Sequence, residues 1–269
     1  MGMRLRRVLA VAPLAATLLL PSPVANSAPT SPPAPLSVNS EVPPTTPVRT
    51  TTAWRDDFNT IDTNNWRVVD GWGCASASNV TNSAGLLRLK TVVPPAGVDC
   101  KLLGARVDTV KLRTFAPGTF SARIKFAPKQ GSWQAFWMTG DSGRTFPSNG
   151  EVDIAEVVGR QPNTSHMRLH AARRDGGPAR CSLKADLVKT AAYMTGWHTW
   201  AATTSAKKVV FSVDGKVTAT ILPNSTCTWP FTDPMRAILS VGGGTWAGTP
   251  TKSLFPVTTL VDWFAYKPL

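Results

Sequence analysis

Acidic residues are scarce in this chain of 269 residues. Asp and Glu number 16 against 29 Lys and Arg, for a formal charge of +13. The sequence also holds only three histidines, two tyrosines and four cysteines. No Cys-x-x-Cys pair or Cys/His cluster has zinc-ligand spacing, which excludes the common structural zinc modules. No segment carries a 3.6-residue apolar stripe over three turns, which excludes a helical bundle. No 20–50-residue repeat is present, so the chain is not a solenoid. No apolar run reaches the roughly 20 residues that a bilayer-spanning helix needs. The longest, residues 8–20, follows Arg4, Arg6 and Arg7 and precedes Ala25, Ser27 and Ala28. That order of charge, apolar core and small residues predicts a secretory signal peptide over residues 1–28. No cysteine lies near the cleavage region, so a lipoprotein anchor is not expected.

Loss of the three leader arginines takes the charge from +13 to +10. Such a chain is drawn to anionic surfaces. Its basic residues are scattered, apart from Arg173-Arg174 and Lys207-Lys208, and no DNA- or RNA-binding motif is present. A nucleic-acid partner is therefore not expected, and neither is a membrane anchor. Residues 29–52 are rich in Pro, Thr, Ser and Val without a usable period and predict a linker. Residues 53–269 are expected to form one folded domain, acting as a monomer.

What the domain does have is period-two alternation. Phe120, Ala122, Ile124 and Phe126 alternate with Ser121, Arg123 and Lys125. Val209, Phe211 and Val213 lead into Asp214-Gly215, after which Val217, Ala219 and Ile221 resume, a hairpin pattern. Further strands are expected over residues 86–90, 235–241 and 259–266, and one short helix over residues 185–195. Many short antiparallel strands with Gly/Pro turns predict an all-β sandwich or jelly roll. The even cysteine count after a leader predicts two disulfides. Three connectivities exist for four cysteines. Cys74–Cys100 with Cys181–Cys227 is favoured, since each closes a loop within one half of the domain.

The scarce acids are concentrated in one place. Glu151, Asp153 and Glu156 sit in the apolar run Glu-Val-Asp-Ile-Ala-Glu, where an unpaired carboxylate is costly to bury. Cleavage of a glycosidic bond requires two such groups, a nucleophile and a proton donor. On a regular strand Glu151 and Asp153 share a face and Glu156 points away. A β-bulge between Asp153 and Glu156 would return it to their side. Three carboxyls on one face cannot all ionise cheaply, so one should be held protonated as a general acid. A solvated polar strand or a calcium site is the plainer alternative. Just upstream, Trp133 and Trp137 share a face by spacing and offer stacking platforms for sugar rings. Trp200 and Trp246 are further cleft candidates, while Trp54, Trp66, Trp197 and Trp263 read as core.

The stretch Gly150-Glu151-Val152-Asp153-Ile154-Ala155-Glu156-Val157-Val158-Gly159 resembles the signature of glycoside hydrolase family sixteen, in its bulged, laminarinase-like branch. Blocks around Arg55-Asp56-Asp57-Phe58-Asn59, residues 118–125, 133–138, 196–200, 211–215, 242–246 and 261–264 are similar to that family in order and spacing. The resemblance implies a concanavalin A-like β-jelly-roll of two curved antiparallel sheets with a cleft on the concave face. It implies retaining endo-hydrolysis of a β-linked glycan, with β-1,3-glucan as the leading substrate. It makes Glu151 the nucleophile, Asp153 the assisting carboxylate and Glu156 the acid/base. It places Trp133, Trp137, His170, Trp246 and Arg106 around the substrate. No cofactor is required, although a structural calcium is implied with Asp262 among its ligands. Ala155 stands where the family commonly has a larger residue, which predicts a roomier cleft floor. Other readings stay open: a galactan or an anionic polysaccharide as substrate, transglycosylation, or a non-catalytic glycan-binding module on the same fold.

Overall fold

The computed structural model describes residues 46–185, 187–188, 191–194 and 196–269. The expected leader, residues 1–28, and most of the expected linker lie outside them. Strands are numbered in chain order. One sheet contains β1 (Val48–Thr50), β3 (Arg67–Val68), β6 (Ala105–Asp108), β7 (Arg113–Phe115), β9 (Ser132–Gly140), β10 (Glu151–Val158), β11 (Thr164–Ala171), β12 (Cys181–Lys184), β13 (Leu187–Val188) and β17 (Met235–Gly243). The other contains β2 (Trp54–Asp56), β4 (Val80–Ser83), β5 (Leu86–Thr91), β8 (Gly118–Lys125), β14 (His198–Thr204), β15 (Val209–Val213), β16 (Lys216–Ile221) and β18 (Val257–Pro268). This is the β-jelly-roll sandwich the sequence pattern implies.

The first sheet runs β1-β7-β17-β9-β10-β11-β12, with β6 also on β17. The second runs β16-β15-β14-β8-β18-β5-β4. All pairings between named strands are antiparallel except β1 with β7, which is parallel. That parallel pair brings Val48, Arg49 and Thr50 into the sheet, so three residues expected in the linker belong to the domain.

Alternation drives the local structure. In β8, Phe120, Ala122 and Ile124 are buried while Ser121 and Arg123 are partly exposed. In β15, Val209, Phe211 and Val213 turn inward in the same way. Asp214 and Gly215 both take positive φ, 51° and 74°, between β15 and β16. That is the left-handed pair a two-residue hairpin turn requires. The space between the sheets fills with Trp54, Phe58, Trp66, Phe115, Phe120, Phe264 and Tyr266, in tilted and edge-on ring contacts of 5.1–6.2 Å.

Several expectations are corrected. Among the described residues of 185–195 no regular α-helix forms: Leu187–Val188 pairs with β11, and Ala191–Met194 makes one 3-10 turn. Leu187 and Val188 complete ladder bonds that an isolated short helix would leave unmade. Trp200 is fully buried in β14 against Phe126 and Tyr193, in the sheet that does not carry the cleft. Trp197 and Trp263 are not core; each is half-buried beneath a guanidinium, Arg123 at 4.8 Å and Arg55 at 4.4 Å.

Both disulfides follow the favoured pairing, Cys74–Cys100 and Cys181–Cys227, separated by 26 and 46 residues. Cross-links closing loops of this length stabilise by about 2–4 kcal/mol each, chiefly by restricting the unfolded chain. Replacing Cys181 and Cys227 with serine should therefore lower the melting temperature by about 5–10 °C in calorimetry. An unchanged transition would mean that the bond contributes nothing to the folded state.

Candidate active site

The carboxylate strand is β10, central in its sheet between β9 and β11. Its register slips where the sequence requires it. Against β11, Asp153 faces Arg168 and Glu156 faces His166, so Ile154 and Ala155 together oppose Met167. Against β9, the shift falls between Asp153 and Ala155. The extra residue sends Ile154 and Ala155 into the core and returns Glu156 to the face of Glu151 and Asp153. All three carboxyls line one cleft of about 360 Å³, with Trp72, Arg106, Trp133, Trp137 and Ser240 among its walls. Ala155 is fully buried in the core cluster, so its small size does not enlarge the cleft floor.

Hydrogen bonds fix the acids. The Trp133 Nε1–H donates to Glu156 Oε1 at 2.9 Å. His170 lies opposite Glu151 in β11, its Nε2 3.3 Å from Asp153 Oδ2 and 4.0 Å from Glu151 Oε1. Its Nδ1 is 2.7 Å from Ser182 Oγ. A neutral imidazole whose Nδ1 accepts from the serine turns its Nε2–H towards Asp153. Burial, which lowers the His170 pKa, favours that form. Glu151, Asp153 and His170 bring one ligating atom each within 4.8 Å of one another, an arrangement these contacts account for.

Burial dominates the electrostatics. It pushes Glu156 up to about 9, reinforced by the Asp153 charge and opposed by the Trp133 hydrogen bond. It raises Glu151 to about 7, helped by Asp153 and opposed by His170, Arg180 and Arg106. Asp153 is likewise raised by burial to about 7, against the pull of Arg168 and Arg180. The row therefore contains one carboxyl that keeps its proton at neutral pH beside two that ionise more readily. An acid held neutral next to an ionised carboxylate is what acid-assisted displacement at a glycosidic carbon demands.

Residues 74–264 match the family described as glycosyl hydrolases family 16. The chain belongs to that family. A β-glucanase of Rhodothermus marinus is 28% identical over 181 residues, covering 59% of this chain and 60% of that protein. Glucan endo-1,3-β-glucosidase A1 of Niallia circulans is 26% identical over 254 residues, covering 78% of this chain and 36% of that protein. This family 16 chain thus spans only part of the length of these curated relatives. The crystal structure of a laminarinase from Flavobacterium sp. UMI-01 superposes with a TM-score of 0.68 at 25% identity, covering 80% of this chain and 98% of that one.

The remaining site residues fall as follows in this family 16 domain. Trp137 lines the cleft and donates its Nε1–H to Ser240 Oγ at 3.0 Å. Arg106 also lines it, its guanidinium between the rings of Trp72 (4.5 Å) and Trp137 (5.2 Å), with Nε bonded to Asp108 Oδ2 at 2.8 Å. Trp246 stands one layer back, edge-on to Trp133 at 5.1 Å and 4.7 Å from His166. A Cβ on Gly244 would sit 3.0 Å from the Trp133 ring, so any other residue would press that ring away from the main chain. Asp262, the aspartate implied for calcium, has its Oδ2 2.5 Å from Arg123 Nη1, a guanidinium that competes with a dication for that oxygen.

Two residues were missed from sequence. Trp72 is 62% exposed in the cleft wall. It lies in a loop without strand period, between Gly71 and Gly73, both at positive φ. Its signal was the neighbouring Cys74, which ties the loop down. His166 carries no motif, yet it shares the parity of His170 on β11 and faces Glu156.

A raised carboxyl pKa has a stability cost with a definite sign. The folded chain holds the Glu156 proton up to about pH 9, whereas the unfolded chain releases it near 4.5. The folded state binds more protons between those values, so stability falls as pH rises through that window. Glu156→Gln should therefore melt about 2–4 °C higher than the parent near pH 8 and at the same temperature near pH 4. Identical pH dependence in the two proteins would show that Glu156 is not held protonated.

Proposed function

We propose that this chain is a secreted, endo-acting hydrolase of β-linked glucan, with β-1,3-glucan as the favoured main chain, working by double displacement with retention. The single observation that carries the reading is the bulge at Ile154-Ala155, which sets two glutamates and an aspartate on one wall of the cleft. Glu151 attacks the anomeric carbon and forms a glycosyl ester. The glycosidic oxygen departs with the proton of Glu156. Water then attacks the ester, the Glu156 carboxylate takes a proton from it, and Glu151 leaves as carboxylate. Asp153, 3.3 Å from His170 Nε2, orients the row and modulates its charge. Trp137 and Trp133 offer ring faces to the sugars, and Arg106 a guanidinium held between two indoles.

The relatives named as a β-glucanase, an endo-1,3-β-glucosidase and a laminarinase support the choice of glucan. Two disulfides, the leader pattern of residues 1–28 and the lack of a membrane-crossing helix among the described residues support an extracellular site of action. A glycan-binding module would have no use for a protonated glutamate beside a second one.

Glu151→Gln should cut kcat on laminarin by at least about a thousandfold with the fold intact, and Glu156→Ala by about 10²–10⁴-fold. Azide should restore turnover to Glu156→Ala and yield a β-glycosyl azide. An inverted product anomer would rule out double displacement. The pH profile of kcat/KM should fall below about pH 7 as Glu151 and Asp153 gain protons, and above about pH 9 as Glu156 loses its own. These limbs belong to the coupled row rather than to single groups.

A further inference from the structure

The sheet face that bears the acids differs on the two sides of β10. Over β9, β17 and β6 it forms the cleft, aromatic and walled by Trp72, Trp133 and Trp137. Over β11 and β12 it continues beyond that cleft as a basic arm. His166, Arg168 and His170 occupy alternate positions of β11 and face Glu156, Asp153 and Glu151 in turn. Ser182 lies opposite His170 in β12 and bonds its ring, which fixes that face of β12 as the face of the acids. Lys184, opposite Arg168, has the same parity, and so does Arg180, immediately before β12.

These cations exceed what the acids of β10 call for. Arg168 and the two imidazoles already stand against the three carboxyls, and Arg168 Nη2 donates to His166 Nδ1 at 3.0 Å. Arg180 and Lys184 lie one strand further out, are exposed, and have no carboxylate partner among the described residues. Asp175, in the loop that leads to Arg180, is committed to Arg173 Nε at 2.9 Å and to the Gly177 N–H at 3.0 Å. The charge of Arg180 is felt at Glu151, Asp153 and His170, which sets it on the flank of the acid row. A guanidinium at one end of β12 and an ammonium at the other, with Ser182 between them, flank the acid row and suit planar or tetrahedral oxyanions.

We propose that the basic arm over β11 and β12 is a subsite for a negatively charged substituent, a sulfate ester or a carboxylate, on the β-linked glycan, with Arg180 and Lys184 as the specificity-determining residues. This deepens the reading of the preceding section and rests on it for the main chain. The aromatic arm stacks unsubstituted sugar faces while the basic arm selects chains that carry anions. The substrate class is therefore an acidic β-linked polysaccharide.

The test uses Glu151→Gln protein, which holds chains without cleaving them. Calorimetry compares neutral β-1,3-gluco-oligosaccharides with the same chains sulfated or carboxymethylated. At low ionic strength the anionic chains should bind about tenfold more tightly, and the ratio should shrink towards one in about 0.3 M salt as the charges are screened. Adding Arg180→Gln and Lys184→Gln should bring the low-salt ratio close to one. Adding Lys207→Gln and Lys208→Gln, an exposed pair between β14 and β15, should leave the ratio unchanged. Comparison of the sulfated with the carboxymethylated series tells which anion the arm takes. Equal affinity for neutral and anionic chains overturns the proposal. So does an equal loss of preference in the Lys207/Lys208 control, which would trace it to overall charge. Preferred binding of anionic chains that the intact enzyme never cleaves would instead overturn the hydrolase reading and leave the subsite standing.

Discussion

Three carboxyl groups buried on one face of a central strand are expensive, and much of the surrounding structure answers to that cost. A carboxylate taken out of water must be neutralised, hydrogen-bonded or paired. Here all three solutions are used. Glu156 is held largely neutral by burial and kept in place by the Trp133 indole. Asp153 lies 3.3 Å from the His170 imidazole and is balanced by Arg168 across the ladder. Glu151, the most exposed of the three, feels Arg180, Arg106 and His170. None of this is attainable on a regular strand, because Glu156 would then point into the apolar layer between the sheets. The inserted residue at Ile154-Ala155 is thus the constraint from which the charge arrangement follows.

The same constraint shapes the neighbours. β9 must bring an indole N–H to Glu156, and the edge-on contact between Trp133 and Trp246 together with bare main chain at Gly244 lets that ring lie flat. β11 must present nitrogen rather than carbon at alternate positions, while Met167 and Leu169 between them seal the core. The aromatic layer around Trp66 and Phe264, distant from the acids, contributes the burial that offsets an active row costing stability at neutral pH. Family membership and the electrostatics of the row converge on one chemistry from independent directions.

Much of this was legible in the sequence. Period-two alternation identifies the sandwich, and the spacing of Glu151, Asp153 and Glu156 by itself requires a bulge if the three are to share a face. Loop closure favoured one of three possible cysteine pairings without deciding it, and that pairing is the one present. What stayed hidden depended on neighbours rather than on period. Trp200 alternates like a cleft residue, but β14 belongs to the other sheet, which no local pattern records. Asp262 looks like a free acid until Arg123, 139 positions away in sequence, is brought across the strand pair. Trp72 lies in a loop whose position is set by a disulfide to Cys100. Residues 185–195 have a composition neutral between helix and strand, and the open side of β11 decided in favour of β13.

The parallel pairing of β1 with β7 bears on how the chain avoids associating with itself. Without residues 48–50, β7 would present unpaired N–H and C=O groups along the margin of the ten-stranded sheet, an invitation to strand addition from another molecule. β1 covers that margin and is itself only three residues long, preceded by Pro47, which has no N–H to offer a further strand. The few residues before the first tryptophan therefore work as a guard against aggregation. A domain boundary drawn at Trp54 would retain every residue of the cleft and still yield a stickier protein.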